Sequence, residues 1–568
     1  MRLHLLRSSF AALFVALGVS TPILSAQVLR PPVASIKPKI DTLHGEVRTD
    51  NYFWIREKTN PDVIAYLNAE NAYTAAKMRH TEALQSKLYD EMLSRIKEND
   101  VSVPYRENGY LYWNATEKGK SYPIRMRRKA VSGARDEVLM DENALAEGRK
   151  FSQLGDWAVS PGTTKFAYLH DTTALRVYTL YIKDLGTGKL LADSISRVVP
   201  SIAWANDTVL FYQTADSARR ADAVWRHVLG TPQSSDVQVF HESDVLDNVG
   251  VNRSKSGKFI MIYDDGFTSS EARVIPTASP FGAAVVVAPR RANVEYSLEH
   301  IDGSFLMTTN DGAQNFKVMR IPDNQVGTGQ WTEFIPSSDS VFIENLEPFR
   351  NNLVVIQRSG GLRRLRVMDL KTRRAPFYIT FPESAYAVSP NGNIEFDSDT
   401  LRFTYQSMVT PPTTYDYAMS TRERVVKKKL DVPGFDSSKY EVKRFMVKAR
   451  DGAMVPVSMI VGKSWKQDGT HPLLEYAYGS YGSTTEAGFN SSVLSLVDRG
   501  FAYAIAHIRG AGIVRVRQEA AQSAGRATRL ALAIPRQGFA LGIHDPGPLL
   551  FGIFERVVRR HLLRPEFL

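Results

Sequence analysis

The chain has 568 residues, of which 43% are hydrophobic and 23% charged, a composition typical of a folded protein with more than one domain. Its formal net charge of +11 does not predict a nucleic-acid site, because Lys and Arg are spread along the sequence and the short run at 427–429 lies in a polar stretch. The absence of cysteine excludes disulfides and thiol catalysis, and the 11 histidines show neither an HExxH motif nor a close pair at ligand spacing, so no metal is expected.

The N-terminus has the pattern of a signal peptide. Arg2 and Arg7 precede a short apolar run at 10–19, and Leu24-Ser25-Ala26 offers a small-residue cleavage site. We therefore expect residues 1–26 to be a signal peptide and the protein to be exported, either periplasmic or secreted. The alternative is a buried N-terminal helix. No later stretch is apolar enough to span a membrane, so no membrane span is expected after signal removal.

Helices are predicted next, over residues 62–78 and 81–99, from apolar residues at helical spacing and from Pro61 at a helix start. After Asp100, short aromatic and β-branched runs alternate with clusters of Gly, Pro, Asn and Asp, which is typical of strands and turns. Seven such runs recur every 43 to 56 residues or so: Tyr110–Trp113, Phe166–Leu169, Val209–Tyr212, Phe259–Ile262, Phe305–Met307, Leu353–Ile356 and Phe403–Tyr405. This period predicts a seven-bladed β-propeller, with a pair of β-sandwiches as the alternative.

The pattern changes again from Tyr440. A hairpin is predicted over 441–461 with its turn at Asp451-Gly452, followed by strands at 473–478 and 501–507 and a short amphipathic stretch at 492–497. Strands that alternate with helical segments are typical of an α/β domain with a largely parallel sheet.

Several segments resemble the prolyl oligopeptidase family of serine peptidases, and oligopeptidase B in particular. The segments are His44-Gly45 through Trp54, Val224–Gly230, Gly361–Val367, Tyr405–Tyr417, Tyr478–Gly482 and Ser495–Gly510. They are collinear from about residue 38 to Gly510. The resemblance implies a seven-bladed β-propeller over an α/β-hydrolase domain, no cofactor, and short basic peptides as partners, cut after Arg or Lys.

On that resemblance the chain divides into a signal peptide (1–26), an N-terminal helical arm associated with the hydrolase domain (27–101), the propeller (102–430), the start of the α/β-hydrolase domain (431–510) and an Arg-rich tail (511–568). Tyr478 matches the family tyrosine that donates to the oxyanion, with a core tyrosine as the alternative role. Glu486 stands where the family carries acids that face a basic substrate side chain. Gly488 stands where a second acid is expected, which weakens recognition of a basic side chain.

The catalytic triad itself is not found. A serine of this fold class stands in a G-x-S-x-G turn, and no such motif occurs in the 568 residues. Residues 511–568 contain nine Arg, no Lys and four acidic residues, although Lys is frequent upstream. We therefore expect a hydrolase domain that is incomplete at its C-terminal end, with a shifted reading frame after Gly510 as the leading explanation and genuine divergence as the alternative.

Ser523, Asp545 and His561 occur in hydrolase order, but the spacing leaves too little room for the strands and helices that separate such residues. Three functions remain open from the sequence. They are an inactive member of the family, an active serine peptidase with an unusual C-terminus, and a propeller that binds peptides or proteins without cutting them.

Overall fold

The computed structural model describes residues 29–372, 374–479 and 483–508. These residues belong to two compact units, which separate between Asp90 and Glu91. Within the described residues, no helix is long and apolar enough to cross a membrane.

The first unit begins with a β-hairpin and continues into helices. Its elements are β1 (Lys39–Leu43), β2 (Glu46–Asp50), a 3-10 helix (Phe53–Arg56), α1 (Pro61–Met78), a 3-10 helix (Arg79–Thr81) and the start of α2 (Glu82–Ser94). The turn of the hairpin holds His44 and Gly45 at φ 51° and 83°, the positive values that a two-residue hairpin turn requires. The Asn60 side chain accepts a hydrogen bond from the Asp62 amide and so caps α1, with Pro61 in the first helical position.

The first predicted helix is confirmed, whereas the second ends five residues earlier than expected, at Ser94 instead of Asn99. The following residues are committed to the first blade of the second unit. The Asn99 carboxamide oxygen accepts from the Lys118 amide, and Asp100 pairs with Thr116 in a strand ladder. Sheet pairing therefore overrides the helical periodicity at this end.

The second unit opens with a β-propeller of seven blades, counted over the described residues. The first blade contains β3 (Asp100–Val101), β4 (Tyr105–Glu107), β5 (Tyr110–Thr116), β6 (Ile124–Lys129) and β7 (Glu137–Asp141), and is followed by α3 (Glu142–Ala146). One seven-stranded sheet forms the second and third blades, because the long β11 is shared between them. Its strands are β8 (Gln153–Val159), β9 (Lys165–Asp171), β10 (Tyr178–Asp184), β11 (Leu190–Trp204), β12 (Val209–Ala215), β13 (Ala221–Val228) and β14 (Val237–His241).

The last four blades are antiparallel four-stranded sheets. Blade four contains β15 (Asn248–Arg253), β16 (Phe259–Asp265), β17 (Ser270–Pro276) and β18 (Val285–Ala288), and blade five contains β19 (Tyr296–Ile301), β20 (Ser304–Thr309), β21 (Lys317–Pro322) and β22 (Thr332–Ile335). Blade six contains β23 (Phe342–Pro348), β24 (Asn352–Ser359), β25 (Leu362–Asp369) and β26 (Phe377–Tyr378), and blade seven contains β27 (Ala387–Pro390), β28 (Thr400–Gln406), β29 (Thr413–Ala418) and β30 (Arg424–Lys429).

Each of the seven apolar runs found in the sequence lies in the second strand of one blade, so the predicted propeller is confirmed. Neighbouring blades bury most of these strands, which include fully buried Phe166, Phe211, Phe305 and Phe403. The second strand of the first blade is only partly buried, with Tyr112 as its one buried residue. Apolar clusters fill the interfaces between consecutive blades from the first to the seventh. Burial of these faces is the main stabilising contribution to the ring.

Polar contacts join the seventh blade to the first. The Lys428 ammonium lies 2.5 Å from the Asp100 carboxylate, and the Arg402 guanidinium donates to the Pro104 carbonyl at 2.6 Å. Charged side chains therefore connect the last blade to the first and help to close the ring.

A small α/β sheet follows the propeller. It contains β31 (Tyr440–Lys448), β32 (Met454–Gly462), β33 (Leu473–Ala477), α4 (Leu494–Val497) and β34 (Ala502–Ala506), in the order β31-β32-β34-β33. The predicted hairpin and both predicted strands are confirmed, and Gly452 adopts the φ of +87° that its turn requires. β33 and β34 are parallel neighbours joined through α4, which is the connection expected of an α/β fold.

Candidate functional site

The parallel strands β33 and β34 bring their carboxyl ends to one edge of the α/β sheet. Ala477 lies opposite Ala506 in the register, so Tyr478 and His507 follow directly at the same edge. β34 lies in the sheet interior between β32 and β33, and four of the five residues of its sequence, Ala-Tyr-Ala-Ile-Ala, are buried. Ligands of α/β sheets bind outside the carboxyl ends of parallel strands, so this edge is the place to look for chemistry.

Tyr478 is exposed at this edge. Its relative exposure is 42%, and no hydrogen bond joins its hydroxyl to a residue in the part of the chain that the structure describes. A phenol held at a strand end with a free O–H can donate to an oxygen that gains negative charge. The position is compatible with the oxyanion role predicted from the sequence, which stays a prediction.

His507 is buried beside Tyr478 and has both ring nitrogens occupied. Nδ1 lies 2.9 Å from the Thr485 carbonyl oxygen, and Nε2 lies 2.9 Å from the hydroxyl of Ser458. Because a carbonyl only accepts, Nδ1 carries the proton and Nε2 accepts from the serine. Burial lowers the pKa of His507, which keeps the ring neutral. Ser458 is fully buried, so this Ser–His pair holds residue 485 against the sheet and is closed to a substrate.

Glu486 belongs to a cluster of four charged residues that lies where the α/β segment contacts the propeller. Its carboxylate forms an ion pair with Arg358 of β24 and lies 3.6 Å from the guanidinium of Arg363 in β25. Both arginines also bind Glu344, each at 2.6 Å. The Arg358 side chain is only 1% exposed, and two guanidinium groups balance two carboxylates. Sequence reasoning found Glu486 but not its partners, and its predicted role toward a basic substrate remains a prediction.

Gly488 packs against the propeller residue Gln406. A Cβ atom at position 488 would lie 3.2 Å from Cδ of Gln406, whose side-chain oxygen accepts from the Phe489 amide at 3.0 Å. A second acid at this position would therefore have to displace Gln406. The close approach gives a packing reason for the glycine that stands where the family resemblance led us to expect an acid.

An apolar core underlies these polar contacts. Its buried members come from the loops beside blade seven and from the α/β sheet, and they are Ala385, Met408, Tyr440, Ile460, Ala487, Val493, Leu494, Val497 and Ile505. The Arg444 guanidinium adds a hydrogen bond from β31 to the Ser384 carbonyl at 2.9 Å. This core fixes the segment that carries Glu486 and Gly488 against the propeller.

The propeller contains a serine, a histidine and an aspartate in contact that the sequence pattern did not indicate. The Ser256 hydroxyl lies 2.7 Å from Nδ1 of His300, and the Asp323 carboxylate lies 3.1 Å from Nε2. The His300 side chain has no exposed surface, and its ring packs against Phe259 and Phe305 at centroid distances of 4.9 Å. The arrangement ties adjacent blades together and offers no approach to a substrate.

Three carboxylates also converge in the propeller, on Glu242, Asp247 and Asp264, with their closest oxygens within 4.8 Å of one another. The guanidinium of Arg290 already lies among them and bonds to all three, at 2.7 Å in the case of Glu242. Burial and the adjacent Glu242 raise the pKa of Asp264 above its ordinary value. A protein cation therefore already occupies the only such carboxylate cluster within the described residues.

Several sequence predictions lie outside the described residues. They are the signal peptide at 1–26, the tail at 511–568, and the hydrolase-order residues Ser523, Asp545 and His561. Tyr478 and Gly479 are described, whereas residues 480–482 of the same motif are not.

Comparison with known proteins gives a consistent set of relatives. The family model for the N-terminal β-propeller domain of prolyl oligopeptidase matches residues 31–430. Dipeptidyl aminopeptidase BI from Pseudoxanthomonas mexicana is 41% identical over 516 residues, which cover 87% of this chain and 71% of the relative. Protease 2 from Moraxella lacunata is 31% identical over 492 residues, which cover 85% of this chain and 70% of the relative.

The structural comparison agrees. Oligopeptidase B from Leishmania major superposes with a TM-score of 0.79 at 29% sequence identity, over 86% of this chain and 72% of that one. The match includes more of the chain than the propeller alone, so the fold likeness extends beyond the region covered by the family model.

Proposed function

The chain belongs to the prolyl oligopeptidase family of serine peptidases, and from that premise we propose that an intact version of this protein, with a complete catalytic triad, hydrolyses short peptides after Arg or Lys. The observation that carries this proposal is the exposed hydroxyl of Tyr478 at the carboxyl edge of the parallel strands. In the proposed mechanism a serine attacks the scissile carbonyl and Tyr478 donates to the oxygen as negative charge develops on it. Peptide hydrolysis of this kind needs no cofactor.

The 568 residues contain no G-x-S-x-G motif. We therefore propose that this chain, as its sequence stands, is catalytically inactive. The competing hypothesis is an active peptidase that uses Ser523, Asp545 and His561. A fluorophosphonate probe distinguishes the two, since it reacts only with an activated serine. We expect no labelling of the purified chain and no cleavage of an Arg-containing tripeptide. Labelling that maps to Ser523 and is lost in Ser523→Ala would overturn the proposal.

The role of Tyr478 is tested in a protein whose downstream sequence has been restored from the gene. Reading all three frames past the codon for Gly510 shows whether one of them encodes a G-x-S-x-G motif followed by Asp and His. If one does, the restored protein should cut after Arg or Lys, and Tyr478→Phe should lower kcat by about 10²–10³ with little change in KM. A restored enzyme with unchanged kcat in the phenylalanine variant would show that Tyr478 is a structural residue.

A second candidate activity is the release of dipeptides from the N-terminus of a peptide. It is favoured by the identity of 41% to a protein named dipeptidyl aminopeptidase BI, compared with 31% to Protease 2. The restored protein would then hydrolyse an unblocked dipeptide amide but not the same compound with an acetylated N-terminus. Equal rates on the two compounds would favour internal cleavage.

A third candidate is a propeller that binds peptides or proteins and takes no part in hydrolysis. The charge-neutral cluster around Glu486 favours it, because an acid already paired with two arginines is less available to a basic substrate side chain. Under this hypothesis, restoring a downstream triad would leave the affinity of the chain for its partner unchanged.

We also propose that residues 1–26 direct export and are then removed. Mass spectrometry of the protein recovered from the periplasm or the medium should give an N-terminus after Ala26. Recovery of the full-length chain from the cytoplasm alone would overturn this proposal.

A further inference from the structure

A cavity of about 270 Å³ lies between blades five and six of the propeller. Phe334 and Ile335 of β22 form one wall, and Ile343, Gln357 and Met368 contribute to the wall on blade six. The strand register explains why the blade-six side chains share this wall. Residues directly opposite each other in antiparallel strands lie on one face, as Ile343 does with Gln357. Small-molecule sites begin at roughly 300 Å³, so the cavity suits a small ligand or one residue of a peptide.

The cavity has one charged side chain in its lining, that of Arg366 in β25. Arg366 makes no hydrogen bond or ion pair with any residue in the described ranges, and no carboxylate lines the cavity. Other arginines of the same blade are paired, since Arg358 and Arg363 both bind Glu344. A partly buried guanidinium with five free donors and no internal partner is suited to a carboxylate, which it can bind through two parallel hydrogen bonds.

A second donor, the carboxamide of Gln357, lines the same cavity. Gln357 is only 3% exposed, and its side-chain oxygen accepts from the Tyr378 hydroxyl at 3.0 Å. That bond fixes the carboxamide and leaves its NH2 group without a partner among the described residues, in the lining of the cavity. The NH2 group can therefore donate to an acceptor in the cavity, either a ligand or water.

The rest of the lining is mainly apolar and includes Phe334, Ile343 and Met368. The ligand that matches this surface carries a carboxylate at one end and an apolar group at the other. We propose that the cavity binds a small organic carboxylate with an apolar side chain, of the kind presented by the free carboxyl end of a short peptide. Arg366 and the Gln357 NH2 group would receive the carboxylate, and the apolar wall would receive the side chain.

The proposal is tested by titrating the full chain with N-acetyl-leucine and with N-acetyl-leucinamide, followed by ligand-observed NMR. The two compounds share their apolar side chain and differ in the end group, which is an anionic carboxylate that only accepts hydrogen bonds or a neutral amide that both accepts and donates them. We expect N-acetyl-leucine to bind with a Kd near ~1 mM and the amide to bind at least about tenfold more weakly. Equal affinities, or no binding of the acid up to about 50 mM, would overturn the proposal.

Arg366→Met removes the charge while keeping an unbranched apolar side chain, and it should weaken binding of the acid by about tenfold or more and remove the preference for acid over amide. Arg374→Met is the matched control. Arg374 is an exposed arginine in the segment that follows the same strand, and it does not line the cavity. We expect this control to change the affinity less than about twofold. If both variants weaken binding equally, the positive field of the blade binds the acid and the cavity does not. Unchanged melting curves of both variants would show that they remain folded.

Discussion

Polar side chains in the propeller differ from those at the edge of the α/β sheet in their exposure and in their number of hydrogen-bond partners. In the propeller, His227 is fully buried between Asp193 and Asp236, and both of its ring nitrogens are bonded, at 3.0 and 2.7 Å. At the sheet edge, the Tyr478 hydroxyl is exposed and unbonded within the described residues. A polar group whose partners are supplied by the fold stabilises that fold, whereas an exposed group without partners remains available to a substrate. Partner count and exposure therefore separate structural groups from candidate functional ones better than residue type does.

The largest effect is expected where the two regions meet, in the charge cluster of Arg358, Glu344 and Glu486. Arg358→Met leaves two carboxylates, 16% and 24% exposed, that share only the guanidinium of Arg363. Removing one partner of a buried ion pair costs about 3–5 kcal/mol, and we expect a loss of unfolding free energy in that range by urea titration.

The control for this variant is an exposed ion pair between blades six and seven. Arg350 and Asp397 lie 3.0 Å apart with side chains 45% and 72% exposed. Arg350→Met should cost less than about 1 kcal/mol. Adding Glu486→Gln to Arg358→Met should recover part of the loss, because one of the two carboxylates that then share Arg363 is neutralised. A loss no greater than that of the exposed pair would show that the cluster does not hold the two regions together.

The sequence predicted the propeller well because its signal repeats. In the third blade Val209–Tyr212 is buried at every position, since adjacent blades cover both faces, and a similar run of apolar and aromatic residues recurs in every blade. The ion pair between Arg358 and Glu486 could not be predicted in this way. Its partners are 128 residues apart, and only the docking of a blade-six strand against the α/β segment brings them together. The same holds for Ser256, His300 and Asp323, which come from three separate strand ends of adjacent blades.

Two glutamates in the first strands of blades five and six provide a second test, because we expect their substitution to change the stability in opposite directions. Glu299 makes no side-chain hydrogen bond or ion pair with a described residue, and burial, aided by Glu347, raises its pKa to about 8. Glu347 is paired with Lys255 at 2.5 Å. A carboxyl with a raised pKa stabilises the folded state below its unfolded pKa and loses this contribution as the pH rises through about 8.

Glu299→Gln should therefore match the wild type near pH 5 and be more stable than it at pH 9, by roughly 1–2 kcal/mol. Glu347→Gln should instead be less stable by roughly 1–3 kcal/mol at neutral pH, because Lys255 loses its partner. Urea unfolding across this pH range measures both. If the two variants shift stability in the same direction, pairing does not decide the role of these acids.

Substitutions of Gly488 test the packing between the α/β segment and the propeller. Its φ is not in the left-handed region, so the backbone accepts a side chain, but a Cβ atom would meet the carboxamide of Gln406. We expect Gly488→Ala to cost about 1 kcal/mol, since Gln406 must shift and its bond to the Phe489 amide is weakened. Gly488→Asp should cost somewhat more, because it adds a charge near Glu486. Thermal unfolding of the two variants separates the steric part from the charge, and no loss in either would show that the contact with Gln406 is loose.

The smallest effect is a difference in pH dependence between two buried histidines. Burial alone lowers the pKa of His227, but its bonds to Asp236 and Asp193 outweigh that effect and the pKa is raised. Burial lowers the pKa of His507, whose partners are a hydroxyl and a carbonyl. The contribution of His227 is thus complete below its unfolded pKa of roughly 6.5 and falls as the pH rises above it, whereas that of His507 is complete above roughly 6.5 and falls as the pH drops.

The destabilisation caused by His227→Asn should therefore shrink from pH 6 to pH 9, and that caused by His507→Asn should shrink from pH 8 to pH 5, each by about 1 kcal/mol. Urea unfolding of the wild type and both variants at four pH values measures the two slopes. Slopes of opposite sign would show that the propeller holds a charged imidazole where the sheet edge holds a neutral one. Slopes of the same sign would mean that the carboxylates around His227 do not keep it protonated, and the contrast between the two regions would then rest on Tyr478 alone.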